Sequence, residues 1–202
     1  MLVVLSLISC LIAGSCAPRV GQFEMNIETE TTVIDITGPL FRIPDVDSRI
    51  ETFVNGQISD FEKNPPPAKD DPRKYKNQLF ITYDNAYVSD KHASVLLTVM
   101  TYTGGAHPTT LLYGKTYEKK TGKETAIKDL VSDTEALKPL IIEQLRKKIK
   151  EEDPTWIRDG VMASDLENFT LSRDSITFHF SPYEVACYAD GPQNARFKLS
   201  SF

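Results

Sequence analysis

Two runs rich in apolar and β-branched residues, Ala93–Tyr102 and Thr109–Tyr117, are separated by the stretch Tyr102-Thr-Gly-Gly-Ala-His-Pro108. Gly104-Gly105 can supply the positive φ angles of a tight chain reversal, and Pro108 opposes re-entry into helix. A β-hairpin corner is therefore the first element that the sequence imposes. A functional loop is the competing reading of the same residues.

The rest of the chain alternates strand-like and helix-like periods. Phe23–Thr37 places Val33, Asp35 and Thr37 on one face and Ile34 and Ile36 on the other, which predicts one or two strands. Gly38-Pro39 is expected to break that run, with Leu40–Ile43 as a short strand after it. Pro44-Asp45 opens a helix whose apolar stripe is Val46, Ile50, Phe53, Val54, Ile58 and Phe61. The prolines of Asn64–Arg73 remove backbone donors and demand an exposed loop. Leu79–Val88, Ala93–Tyr102 and Thr109–Tyr117 predict an antiparallel meander. Lys119–Lys123 is a turn, and Thr125–Val131 a short element. Ser132-Asp-Thr-Glu135 fits a capping box for a second helix to about Glu152, with Leu137, Leu140, Ile141, Leu145 and Ile149 as its stripe. Arg146, Lys147, Lys148 and Lys150 near its end read as a solvated face that suits the helix dipole. Trp156 reads as a core plug. Phe169–Leu171, Ser175–Phe180 and Ala195–Leu199 are closing strands. This order predicts an α+β fold, a mostly antiparallel sheet with two principal amphipathic helices packed on it.

Met1–Cys16 contains no charged residue, and its apolar part is shorter than the about 20 residues that span a bilayer. It has the character of a signal-peptide core, and the small residues Ala13-Gly14-Ser15 before Cys16 suit a lipoprotein signal peptidase. Residues 1–15 are thus expected as a leader, Cys16 as the lipid attachment site and 16–22 as a tether. Plain secretion and a buried N-terminal strand are the alternatives, and Cys10 is a weaker attachment site. With Cys10 removed and Cys16 acylated, only Cys187 remains of the three cysteines, so no internal disulfide is available. Cys187, between Ala186 and Tyr188, reads as a small buried side chain.

The net charge of −5 provides no basic footprint for nucleic acid. The three histidines, His92, His107 and His179, are far apart, and neither H-x-x-x-H nor C-x-x-C occurs, so no metal site is expected. The sequence has no nucleophile elbow, P-loop or dinucleotide fingerprint, and no cofactor is expected. Asp159-Gly160, Asp165 and Glu167 could pose as paired carboxylates, but loop acids are usually solvated. His107, held between Gly-Gly and Pro, is the candidate functional group, placed to hydrogen-bond the Ser181-Pro182-Tyr183 segment. Either these motifs lock the fold, with His107 and Tyr183 satisfying buried carbonyls, or they border a groove for a protein or glycan with Tyr102, Tyr183 and Tyr188 as contacts.

Tyr102–Pro108, Lys120–Leu130 and Phe180–Pro192, in that order, resemble the exported domain of unknown function 3298, which usually follows a smaller domain of unknown function 4163. The resemblance implies a 4163-like domain over 23–103 and a 3298-like domain over 104–202. Such pairs occur in the extracellular part of the anti-sigma-V factor RsiV, which binds lysozyme, in a peptidoglycan deacetylase and in many bacterial lipoproteins. The implied function is an exported, lipid-anchored and non-catalytic envelope binding module, with lysozyme or peptidoglycan as partner. The residues of these motifs themselves supply the candidate binding or fold-locking set, Tyr102, Gly104, Gly105, His107, Pro108, Pro182, Tyr183 and Tyr188; the resemblance assigns none of them a lysozyme contact. The alternatives are a cell-wall glycan hydrolase using His107 with nearby carboxylates, and a passive structural lipoprotein.

Overall fold

The computed structural model describes residues 20–72, 74–149 and 160–201. The leader, Cys10, Cys16, Lys150, Glu152, Trp156 and Asp159 lie outside the described residues. The chain runs β1 (Gly21–Glu28), β2 (Thr32–Leu40), α1 (Pro44–Phe61), β3 (Asn77–Val88), β4 (His92–Tyr102), β5 (Thr109–Glu118), α2 (Leu137–Lys148), β6 (Phe169–Leu171), β7 (Ser175–Phe180) and β8 (Gln193–Lys198). The strands form a five-stranded sheet, β1-β2-β3-β4-β5, and a three-stranded sheet, β6-β7-β8. The fold is α+β and mostly antiparallel, but with two sheets where the sequence suggested one. The larger sheet runs through the hairpin at 103/104, where the resemblance places a domain boundary.

Local pattern accounts for most of these elements. The β3-β4-β5 meander forms as expected, with Thr101 opposite Thr109 across the Gly-Gly corner. Only Gly104 there is left-handed, at φ 88°, so the corner needs one glycine in that conformation and not two. β2 and β3 pair in parallel, and α1 is the crossover that a parallel pair requires. Val46, Ile50, Val54 and Phe61 of α1 are buried, with Phe53 and Ile58 packed beside them. The Asp47 carboxylate accepts the backbone N–H groups of Phe41 (2.8 Å) and Ile43 (2.9 Å), fixing the entry to this helix.

Three expectations are corrected. β2 continues through Gly38-Pro39 to Leu40, and Leu40–Ile43 is not a separate strand. Beyond Ile36 β2 has only β1 as a neighbour, and proline is tolerated in such an edge segment. Ser132–Glu135 does not cap α2: its N-cap is Ala136, whose N–H donates to Asp133, and Pro139 sits in the first turn, where its missing N–H costs little. Leu140 is 41% exposed, so the buried stripe of α2 is Leu137, Ile141 and Leu145, and the helix ends at Lys148.

Side-chain alternation then sorts the molecule into layers. The odd-numbered residues of β3 and β4, including Leu79, Ile81, Val95 and Leu97, share one core with α1. The second sheet forms another core, in which Phe169, Leu171, Ile176, Phe178 and Phe180 pack with Leu137, Ile141 and Leu145 of α2. The even-numbered face of β4 and β5 meets the opposite face of β6 and β7 between these cores.

That meeting is close and polar. A Cβ added to Gly114 would lie 2.6–2.8 Å from backbone atoms of Phe169, whereas stacked sheets normally stand about 10 Å apart. Leu171 N–H donates to Ser94 Oγ at 2.8 Å, and Ser94 Oγ pairs with Thr116 Oγ1 at 2.8 Å. Along the outer edge of β5, Gly114 N–H donates to Asn168 Oδ1 (2.6 Å) and Leu112 N–H to Ser181 Oγ (3.1 Å). Asn168 Nδ2 donates to the carbonyls of Leu112 (3.1 Å) and His179 (2.8 Å). Side chains thereby satisfy an edge that would otherwise be open to pairing.

Gly114→Ala has no room to relax against the Phe169 backbone. It should lower stability by about 1–3 kcal/mol, read as a drop in the urea midpoint at unchanged m-value.

Candidate functional site

The hairpin corner and the 181–192 segment meet at the surface. Ser181 is buried, its Oγ holds Leu112 N–H, and its own N–H donates to the Glu184 carboxylate at 2.6 Å. The intervening turn forces Tyr183 to φ 71°, a left-handed conformation that costs a non-glycine residue about 1–2 kcal/mol. Tyr183 is nevertheless 65% exposed. Its ring lies beside those of His107 and Tyr188. The His107 and Tyr188 rings stack with centroids 4.0 Å apart and planes at 21°. The Tyr183 centroid is 6.2 Å from that of His107 and 5.5 Å from that of Tyr188. His107 Nδ1 faces the Pro108 carbonyl at 2.9 Å, which requires an N–H there and leaves Nε2 of the neutral ring as acceptor for the Tyr183 hydroxyl at 3.4 Å.

The structure thus brings His107, Tyr183 and Tyr188 together. His107 and Tyr183 are exposed and Tyr188 is half-buried, and the carbonyl that His107 engages, that of Pro108, is reached at the surface and not in a core. Tyr102 is elsewhere: it makes an edge-on contact with Tyr75, whose hydroxyl donates to the Thr103 carbonyl at 3.1 Å. Gly104 supports that side, since a Cβ there would collide with the Tyr75 ring. Gly105 contributes only its carbonyl, which accepts from Tyr102, and Pro182 is half-buried beside the Ser181 anchor. His107 makes no hydrogen bond to a carboxylate among the described residues. Glu184 is engaged by Ser181 N–H, and Asp190 accepts from the Cys187 thiol at 2.9 Å. Cys187 is therefore half-buried and hydrogen-bonded rather than a buried apolar filler. Asp165 and Glu167 are structural acceptors, for the N–H groups of Met162 and Ile127 respectively. No group of His, Cys, Asp and Glu able to hold a metal ion occurs among the described residues.

The sequence reading did not single out a second feature. Where the two sheets diverge they enclose a groove of about 520 Å³, lined from one side by Leu96, Thr98, Thr110 and Leu112 and from the other by Thr170, Thr177, His179 and Asn194. His179 is only 4% exposed, and its Nε2 pairs with Thr170 Oγ1 at 2.8 Å. Burial pushes its pKa down to about 4 from 6.5, so the ring is neutral at physiological pH. The signal was present as period-two polarity in β7, where Ser175, Thr177 and His179 alternate with Ile176, Phe178 and Phe180.

Taken together these features define an α+β module with a polar groove and a partly exposed aromatic cluster. Residues 128–200 match the model of a family described as Protein of unknown function (DUF3298). It is 24% identical over 190 residues to the peptidoglycan-N-acetylmuramic acid deacetylase PdaC of Bacillus subtilis (strain 168). That alignment covers 87% of this chain and 40% of PdaC, so the chain spans well under half of that relative. A solved DUF3298 family member from Bacteroides fragilis superposes with a TM-score of 0.62 at 16% identity, covering 91% of both chains. Another, from Pseudomonas aeruginosa PAO1, gives 0.67 at 13% identity over 92% of both. At these identities the two structures speak for the fold alone.

The neutral state of His179 is linked to stability. Its folded pKa lies below its unfolded value, so the contribution is complete above pH 6.5 and is lost as pH falls toward 4. The loss amounts to about 3 kcal/mol. Urea unfolding followed between pH 7 and 4.5 should show this decline in the wild type and a flatter profile in His179→Gln.

Proposed function

We propose that the chain is a non-catalytic binding module of the bacterial cell envelope, exported and lipid-anchored through Cys16, and that the glycan of peptidoglycan is what its surface holds. The observation that carries this reading is the surface cluster of His107, Tyr183 and Tyr188, in which the first two are exposed and Tyr188 is half-buried behind them. A sugar ring has an apolar C–H face and a polar rim, and aromatic rings with hydroxyl or imine edges complement both. The strained backbone of Tyr183 supports a role beyond folding, because strain of this kind concentrates at functional sites. The likeness to a deacetylase that acts on peptidoglycan supports a cell-wall setting. No helix among the described residues is long and apolar enough to cross a membrane.

Purified sacculi should retain the protein and release no soluble glycan fragments on incubation. Tyr188→Ala should weaken retention at least tenfold with an unchanged unfolding midpoint. Tyr183→Gly should abolish retention while leaving stability equal or higher by up to about 1 kcal/mol, since glycine accepts the left-handed backbone. Retention by immobilised lysozyme and not by sacculi would transfer the reading to a protein ligand, as in RsiV. Fragment release that His107→Ala abolishes at unchanged stability would replace it with the hydrolase. Cys16→Ser should move the protein from the membrane fraction to the secreted fraction.

A further inference from the structure

Two sheets that face one another normally bury apolar side chains between them. Here both apolar faces are turned away, one toward α1 and one toward α2, and the faces that meet are largely polar. The sheets touch where β6 lies on β4 and β5 and part toward β8, leaving the groove of about 520 Å³. That volume falls within the range of small-ligand sites, about 300–1,000 Å³.

Several of its polar groups are unspent. The hydroxyls of Thr98, Thr110 and Thr177 line the groove, and none of them forms a hydrogen bond with the described protein. His179 gives Nε2 to Thr170, and its Nδ1 has no partner among the described residues. The rim holds Asp84 and Arg196, charges of opposite sign. The Arg196 guanidinium already donates to Ser175 Oγ at 3.1 Å and lies 3.9 Å from Asp174, so it is not free to neutralise an anion. The amides of Gln193 and Asn194 are engaged by Asp190 and Lys148, and what remains is a set of hydroxyls, which both donate and accept, with the free ring nitrogen of His179, over an apolar floor of Leu96 and Leu112. Asn85, at φ 53° in the irregular stretch of β3, bends the rim, a placement common for bulges beside binding sites.

We infer that the groove between the two sheets is a binding site, separate from the aromatic cluster, for a short uncharged saccharide whose hydroxyls pair with Thr98, Thr110, Thr177 and His179. A sugar hydroxyl donates and accepts as these groups do, and its C–H face suits the two leucines. The site is independent of the surface cluster, and the test separates them.

The full chain, labelled with ¹⁵N, is titrated with N,N′-diacetylchitobiose and followed by amide chemical shifts. Saturable shifts are expected at Thr98, Thr110, Thr177 and Asn194. Thr177→Leu, which fills the groove, should weaken binding at least tenfold, and Thr98→Val, which removes one hydroxyl at constant shape, about threefold or more. Tyr188→Ala should leave this binding unchanged. Shifts confined to His107, Tyr183 and Tyr188 would overturn the groove site and leave the surface reading standing. Absence of saturable shifts while sacculi still retain the protein would do the same. Equal shifts of the same groove amides by inorganic phosphate would also overturn it, since an anion would then suffice.

Discussion

The placement of the second sheet depends on one amide side chain. β6 has three residues, too few to hold a position by strand pairing alone. Asn168, the residue before it, uses its carbonyl oxygen for Gly114 N–H and its two amide hydrogens for the carbonyls of Leu112 and His179. It therefore ties the outer edge of β5 to β7. Without it three backbone groups would lose their partners in a part-buried setting, at about 1–3 kcal/mol each. Gly114 is the steric half of the same joint, because only a residue without Cβ lets the Phe169 backbone come so near.

A joint made at β6 has a geometric consequence. The two sheets are held together along one line by small polar residues, Ser94, Thr116 and Asn168, and not by interdigitated apolar ones. Each sheet buries its apolar face against its own helix, so the molecule has two cores and needs none between the sheets. The space between them is free to be polar and open. That is why His179 on β7 can be buried between the sheets with Thr177 beside it at the groove, and why desolvation of the His179 ring is relieved by one threonine hydroxyl alone.

Local chemistry made much of this legible in advance. The meander, the stripe of α1 and the closing strands follow from side-chain period, turn residues and proline position, which act over a few residues. The parallel pairing of β2 with β3 did not, because strand order is decided by which edges meet after α1 crosses over. Gly38-Pro39 read as a break because composition does not reveal that β2 has lost its second neighbour there. Leu140 read as core because an apolar residue in a helix near the stripe cannot be assigned a side without knowing where the sheet lies. For the sites, motif shape alone predicts that His107 lies near the 181–183 segment, and its ring does lie beside that of Tyr183. Tyr102 looked equivalent to Tyr188 in sequence, yet its strand position turns it toward Tyr75. His179 reads as a lone histidine in sequence, since its partner Thr170 and the opposing threonines come from another strand and another sheet.

The 181–192 segment divides two duties residue by residue. Ser181 and Glu184 build the turn and anchor it to β5, and both do so through atoms that the solvent barely reaches or that bind backbone directly. Tyr183 adds nothing to that anchor: its ring is outside, its one hydrogen bond is long, and its backbone occupies a conformation that glycine or asparagine would hold at lower cost. If shape were the only demand, a smaller residue would serve better at this position. The bulky ring is intelligible when its place beside the stacked His107 and Tyr188 matters more than the strain it carries, so this group of rings is better read as a surface made for contact than as a by-product of the turn beneath it.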